Sequence, residues 1–196
     1  MQNLLIKNGL VIDPVFGETR CGILIGGGRI SRVARHINPP PSCEIFDAAG
    51  LWVFPGFIDA HIHAREPGAG AAETLESAAR AAATGGITSV LLMPNTSPPI
   101  ATAAILKKYR RRTVGLTANL YFSAAATSGR FGRRISNLFA LKKAGAAAFT
   151  DDGACLPRAL LARLIKKAAA LGSPLLDHPE DFSKTGGGVI NEGPAA

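Results

Sequence analysis

Beyond residue 55 the chain repeats one unit: a short apolar run, a Gly- or Pro-containing loop, then an Ala-rich stretch. The apolar runs read as strands at residues 53–58, 88–93, 114–122, 146–149 and 174–176. The stretches between them read as helices near residues 73–84, 101–111, 136–144 and 156–171. Apolar runs without polar alternation fit strands buried on both faces, and strands alternating with helices form parallel sheets. The pattern predicts a parallel α/β fold over residues 55–196. Residues 1–54 differ: "NLLIKNGLVID", "CGILIGGGRISRVA" and "CEIFDAAGLWVF" are strand-like runs punctuated by Gly and Pro, and they predict a small β unit of antiparallel strands.

With 47% apolar residues among 196, the chain can bury a substantial core. Its N-terminal apolar run is too short for a signal peptide or a membrane span, so a soluble, cytoplasmic protein is expected. Cys21, Cys43 and Cys155 are odd in number, scattered and without CxxC spacing, which suggests free thiols in a reducing compartment. The net charge of +8 comes largely from basic pairs inside or at the ends of expected helices, where a solvated outer face accounts for them. Apart from Tyr109, no aromatic residue interleaves with these pairs to stack bases, so nucleic acid is not expected as a partner, and small acidic substrates are the better match.

Directly after the first apolar run comes "DAHIHAREPG". Side chains alternate faces along a strand, so Asp59, His61, His63 and Arg65 would share one face if the chain stays extended. Their place is the C-terminal end of a strand, where the active sites of parallel barrels assemble. Two imidazoles on one face can ligate a single metal ion. "AFTDDG" brings Asp151 and Asp152 past the fourth strand, and "DHPED" brings His178 past the fifth. Of the four histidines only His36, in "VARHINPPP", reads as a surface loop residue. Imidazoles and carboxylates converging on one barrel mouth suit a divalent cation such as zinc.

"FPGFIDAHIHAREPG", "LLMPNTSPP", "AFTDDG", "DHPED" and "GGGVINEG", in this order, resemble the dihydroorotase family of the amidohydrolase superfamily. The likeness runs over nearly the whole chain, and it is to the type that pairs with aspartate transcarbamoylase. The resemblance implies a (β/α)8 barrel and the reversible hydrolysis of dihydroorotate to N-carbamoyl-aspartate in pyrimidine biosynthesis. It implies two zinc ions, with His61 and His63 on the first, Asp152 bridging (Asp151 as the fallback) and His178 on the second. Arg65 and Asn95 would hold the substrate carboxylate, and His63 also counts among the substrate-binding residues. Independent chemistry agrees. An unactivated cyclic amide needs a strong nucleophile, which metal ions generate from water, and the Arg65 fork suits a carboxylate.

Two departures from the family pattern stand out. Pro179 follows His178 where a small residue is usual, and no lysine lies near the fourth strand end to form the carboxylated bridge of hydantoinase-like relatives. Allantoinase or hydantoinase activity is the enzymatic alternative, against which "REPG" with "TDDG" speaks. Length is the larger departure. A complete barrel takes about 250 residues, while only about 140 follow the β unit, enough for five strands. The general-base aspartate, a further histidine ligand and the closing strands are then expected beyond Ala196, and the 196-residue chain alone is expected to be a poor catalyst. A non-catalytic scaffold for aspartate transcarbamoylase is the reading from another class, and homo-oligomerisation is also open. A scaffold would have no need of the ligands present.

Overall fold

The structure is a computed structural model in which residues 3–180 are described. The chain folds as two compact units, Met1–Phe57 and Ile58–Ala196.

The first unit holds two small sheets. Its strands are β1 (Leu4–Lys7), β2 (Leu10–Asp13), β3 (Gly17–Arg20), β4 (Gly22–Gly26), β5 (Arg29–Ala34), β6 (Glu44–Asp47) and β7 (Trp52–Val53). Each strand-like run of the sequence becomes two strands, because a left-handed residue breaks it. Asn8 (φ 65°) separates β1 from β2, Gly27 and Gly28 (φ 59° and 75°) turn β4 into β5, and Gly50 (φ 79°) falls between β6 and β7. The sheets run β5-β4-β1-β6 and β3-β2-β7. The expectation of antiparallel strands throughout is corrected here. β1–β4, β4–β5 and β2–β3 are antiparallel, but β1–β6 and β2–β7 are parallel. The physical reason is connection length. The short turns of β2–β3 and β4–β5 force antiparallel pairing, whereas the long paths from β1 to β6 and from β2 to β7 leave room for a parallel return.

The second unit alternates strand and helix: β8 (Phe57–Ile62), α1 (Leu75–Thr84), β9 (Ile87–Leu92), α2 (Ala103–Arg111), β10 (Asn119–Ala125), α3 (Leu138–Ala144), β11 (Ala148–Thr150) and α4 (Arg158–Ala170). The sheet order is β11-β10-β9-β8, with parallel registers at Leu120↔Val90 and Ala124↔Phe149. Beyond β11, Leu175 bridges Phe149 in parallel, so the expected fifth strand is present as a single bridge. The result is an α/β half-barrel.

Helix boundaries follow local chemistry. Thr74 caps α1 by accepting from Ser77 N, and the Ser77 hydroxyl accepts from Thr74 N at 2.9 Å, a reciprocal capping box. Leu75, Ala78, Ala79 and Ala82 are buried at helical spacing and give α1 its inner face. Those residues pack with Val90, Leu92, Phe122, Leu141, Phe149 and Leu164 into one core. On β10, Leu120 and Phe122 are buried while Tyr121, of the opposite parity, is half exposed, so helices cover one face of this strand.

Two strands lie later in the chain than the sequence suggests. The expected strand 53–58 is two elements: Trp52–Val53 pairs with β2, and Phe57–Ile62 begins the second sheet. Pro55, which has no N–H to give a ladder, stands between them. Likewise β10 begins at Asn119 and not at 114, since Gly115 (φ 81°) takes that segment out of extended geometry. Both shifts move the strand ends toward the polar motifs. Among the described residues no helix is long and apolar enough to cross a membrane.

Phe122 is 2% exposed and Phe131 is 77% exposed. Phe122→Ala is therefore expected to lower the unfolding free energy by about 3–5 kcal/mol. Phe131→Ala should change it by less than about 0.5 kcal/mol. Urea unfolding of the two variants checks this, and equal effects would contradict the described core.

Candidate metal centre

His61 is the penultimate residue of β8, and His63 is the residue after its end. Asn95 follows β9 by three residues and Asp152 follows β11 by two. All four therefore sit at C-terminal strand ends, and the parallel sheet brings together segments up to 91 residues apart in sequence. His61 Nε2 lies 3.1 Å from Asp152 Oδ1, and His63 Nε2 lies 3.8 Å from Asp152 Oδ2. The imidazole rings are 5.2 Å apart, centre to centre, and inclined at 69°.

The ligand atoms of His61, His63 and Asp152 all lie within 4.8 Å of one another. A tetrahedral zinc with bonds of about 2.0–2.1 Å needs ligand atoms spaced roughly 3.3 Å apart. The two measured His–Asp spacings bracket that value. Two imidazole nitrogens and a carboxylate oxygen are also a donor set that zinc accepts. By distance and by chemistry, these residues fit a divalent cation.

Asn95 sits between two of the ligands. Its amide nitrogen donates to Asp152 Oδ2 at 2.7 Å, and its Oδ1 lies 2.9 Å from His63 Nδ1. With the amide oriented this way its oxygen accepts, so His63 donates through Nδ1 and Nε2 is the nitrogen turned toward Asp152. A group behind a ligating imidazole fixes its tautomer and ring orientation in just this manner.

The adjacent carboxylate is used differently. Asp151 is 1% exposed and accepts from the Thr127 amide at 2.9 Å and from the Thr127 hydroxyl. Arg130 reaches across to the same segment, donating through Nε and Nη2 to the Asp151 carbonyl at 3.3 and 3.2 Å, and through Nη2 to the Asp152 carbonyl. The loop after β10 thus holds the segment after β11 from both its side-chain and its backbone side.

Arg65 is exposed, in the loop between β8 and α1. That loop is anchored one residue on. Glu66 receives both Arg112 nitrogens, at 3.0 and 3.1 Å, and the Leu75 amide at 3.0 Å. The hydrogen bond to Glu66 is the main reason the Arg112 guanidinium titrates above its ordinary value. Gly68 (φ 112°) passes so close to Ser97 that a Cβ would meet the Ser97 carbonyl oxygen at 2.6 Å, and Ser97 N donates to Pro67 O at 2.9 Å. The "REPG" and "NTSPP" loops are therefore packed backbone to backbone.

Of the residues singled out in sequence, the structure brings His61, His63 and Asp152 into one ligand group, with Asn95 hydrogen-bonded inside it. Asp59, half-buried on β8, accepts from the His61 amide at 3.0 Å. His178 is exposed beyond the Leu175 bridge, and its ring nitrogens are not in the group of three. His36 is exposed in the first unit, and "GGGVINEG" lies outside the described residues. Thr127, Arg130, Glu66 and Arg112 were not legible as site residues. Glu66 stands inside "REPG", but its pairing with Arg112, like those of Thr127 and Arg130, spans 21 to 46 residues and no local pattern marks it.

Residues 50–196 match the family described as dihydro-orotase-like. The dihydroorotase of Aquifex aeolicus (strain VF5) is 42% identical over 197 residues, which is 98% of this chain and 46% of the relative. The chain spans about half the length of the curated relatives it matches. Among solved structures, L-hydantoinase (dihydropyrimidinase) from Arthrobacter aurescens aligns with TM-score 0.77 at 22% identity, over 96% of this chain and 45% of that one. A dihydroorotase aligns with TM-score 0.59 at 16% identity, over 89% and 50%. At these identities the structural likenesses bear on the fold alone.

Removing the Asn95 amide frees the His63 ring and leaves Asp152 short of a donor. Asn95→Ala is expected to weaken zinc or cobalt binding about 10–100-fold, measured by competition against a chromogenic chelator. Unchanged affinity would mean that Asn95 does not orient the ligands.

Proposed function

Because the chain belongs to the dihydro-orotase-like family, we propose that the protein carrying it interconverts dihydroorotate and N-carbamoyl-aspartate, a step of pyrimidine biosynthesis. The observation that carries this reading is the His61–His63–Asp152 group at the sheet's C-terminal edge, inside the matched region. Residues 1–54 are the small β domain in this proposal, and 55–196 are the first part of a (β/α)8 metal-dependent hydrolase barrel.

In this reading His61, His63 and Asp152 would hold zinc, Asp152 would be shared with a second ion, and His178 would be assigned to that second ion. A bound zinc ion would lower the pKa of water to about 7 and so supply the nucleophile that an amide requires. The choice of Asp152 over Asp151 as the bridge is supported by their hydrogen bonding, since the Asp151 carboxylate is committed to Thr127. Asn95, bonded to His63 Nδ1, would keep Nε2 free to hold the ion. Arg65, on a loop anchored through Glu66 and Arg112, presents a planar fork to the ring carboxylate of dihydroorotate. The second N–H of the Asn95 amide, not taken by Asp152, would donate to the same carboxylate. Association with aspartate transcarbamoylase, a cytoplasmic location and self-association rest on the family resemblance.

A cyclic amide without a ring carboxylate has no use for Arg65, which separates this reading from a hydantoinase. Ring closure of N-carbamoyl-aspartate by the zinc-loaded full-length protein that carries this chain is the direct test. Arg65→Met should raise KM about 10–100-fold, the worth of a charge-assisted pair, while zinc content stays unchanged. Normal KM and kcat in this variant would remove Arg65 from the substrate site, and no turnover at full zinc occupancy would count against the proposed reaction.

A further inference from the structure

The segment 133–136 and helix α4 enclose a cleft of about 280 Å³ lined by Arg133, Arg134, Arg163, Lys167 and Ser136. An adjoining cleft of about 430 Å³ shares Ser136 and Lys167 and is otherwise largely apolar, with Phe139 and Leu171 on its wall. Among the described residues no acidic side chain lines either one. None of these residues belongs to the metal centre, although Arg133, Arg134 and Ser136 share the loop after β10 with Thr127 and Arg130.

Helical outer faces were expected to account for the basic pairs. Arg133 and Arg134 are not helical, however. They belong to a loop pinned by the Thr127↔Ile135 bridge and by the bond from Ser128 N to Arg134 O at 2.8 Å. Arg163 and Lys167 stand four residues apart on α4, one turn above the other, where like charges repel. Four cations around one concavity are unfavourable unless an anion joins them.

Ser136 gives the second, independent observation. It is 7% exposed, and among the described residues its hydroxyl has no hydrogen-bond partner. A buried hydroxyl without a partner is costly. Its position is set by the backbone, because Ser136 N donates to Ala126 O at 2.9 Å. Ser136 lines both the basic and the apolar cleft, with its hydroxyl oxygen buried just behind their shared wall.

We propose that the basic cleft binds the phosphoryl groups of a small phosphorylated metabolite. The Arg133, Arg134 and Arg163 forks and the Lys167 ammonium would neutralise its oxygens, and the Ser136 hydroxyl would donate to one of them. The adjoining cleft, with the Phe139 ring exposed, has room for an apolar or planar body attached to the phosphates. The phosphoryl group could therefore come from inorganic pyrophosphate or from a nucleotide.

Calorimetric titration of the full chain with pyrophosphate and with ADP tests this without any assay of activity. The double variant R163Q/K167Q, with both changes on the exposed face of α4, should bind pyrophosphate at least about tenfold more weakly. Ser136→Ala should also weaken it, whereas K107Q/K108Q, away from the clefts, should leave it unchanged. In the unmodified protein, pyrophosphate should shield Arg134 and Arg163 from phenylglyoxal but not Arg80 on α1, a readout that needs no variant to fold. If Phe139→Ala weakens ADP alone, the source is a nucleotide, and if it weakens neither ligand, the phosphoryl group by itself is recognised. Either result keeps the site. Absent pyrophosphate binding, equal losses in K107Q/K108Q and R163Q/K167Q, or uniform arginine protection would overturn the proposal.

Discussion

Burying a carboxylate is expensive unless donors or cations meet it, and Asp152 is 4% exposed. Its two oxygens are approached from different strands: Asn95 donates to Oδ2, and the Nε2 atoms of His61 and His63 stand 3.1 and 3.8 Å from Oδ1 and Oδ2, where a cation would meet the carboxylate. Much of the second unit's C-terminal edge follows from that requirement. β8 must end beside β9, and β9 beside the path to β11, for these groups to converge. The parallel sheet satisfies this, because it directs every strand's C-terminal end toward the same edge.

Around this carboxylate the chain places supports that do not themselves face a ligand. Thr127 holds Asp151, and Arg130 holds the carbonyls of Asp151 and Asp152. Together they fix the direction in which the Asp152 side chain leaves the backbone. On the opposite flank, Glu66 joins the start of α1 to Arg112 just past α2. That pairing keeps the loop after β8, and with it Arg65, in one arrangement. A site of this kind needs ligands held by their neighbours as much as by their own rotamers.

The distribution of positive charge divides the surface of the second unit. Some basic residues are spent on backbone or acidic partners, as Arg110 is on the Ala144 carbonyl and Arg112 on Glu66. Others gather around the clefts beside α4, where no carboxylate among the described residues balances them. A net charge of +8 is therefore more than general solubility. Local arrangement, not the total, distinguishes a solvated helix face from an anion site.

The alternation of apolar and Ala-rich segments determined the parallel α/β architecture by itself, since parallel neighbours need a long crossover that a helix supplies, although β8 is exposed where burial on both faces was expected. The spacing in "HIHAR" and "TDDG" determined which imidazoles and carboxylates stand at strand ends, because side-chain direction along a strand has a period of two. Strand limits were less legible: Pro55 and Gly115 shift β8 and β10 by several residues, and Asn8, Gly27 and Gly50 cut single runs into pairs. Tertiary structure alone decided that Asp152 turns toward the histidines while Asp151 turns to Thr127. It alone placed Asn95 against His63 and Asp152, gave Arg130 its carbonyls and left the Ser136 hydroxyl without a partner among the described residues. Local sequence sets which face a side chain takes. Which group lies opposite it depends on packing between segments far apart in the chain, and no local pattern encodes that.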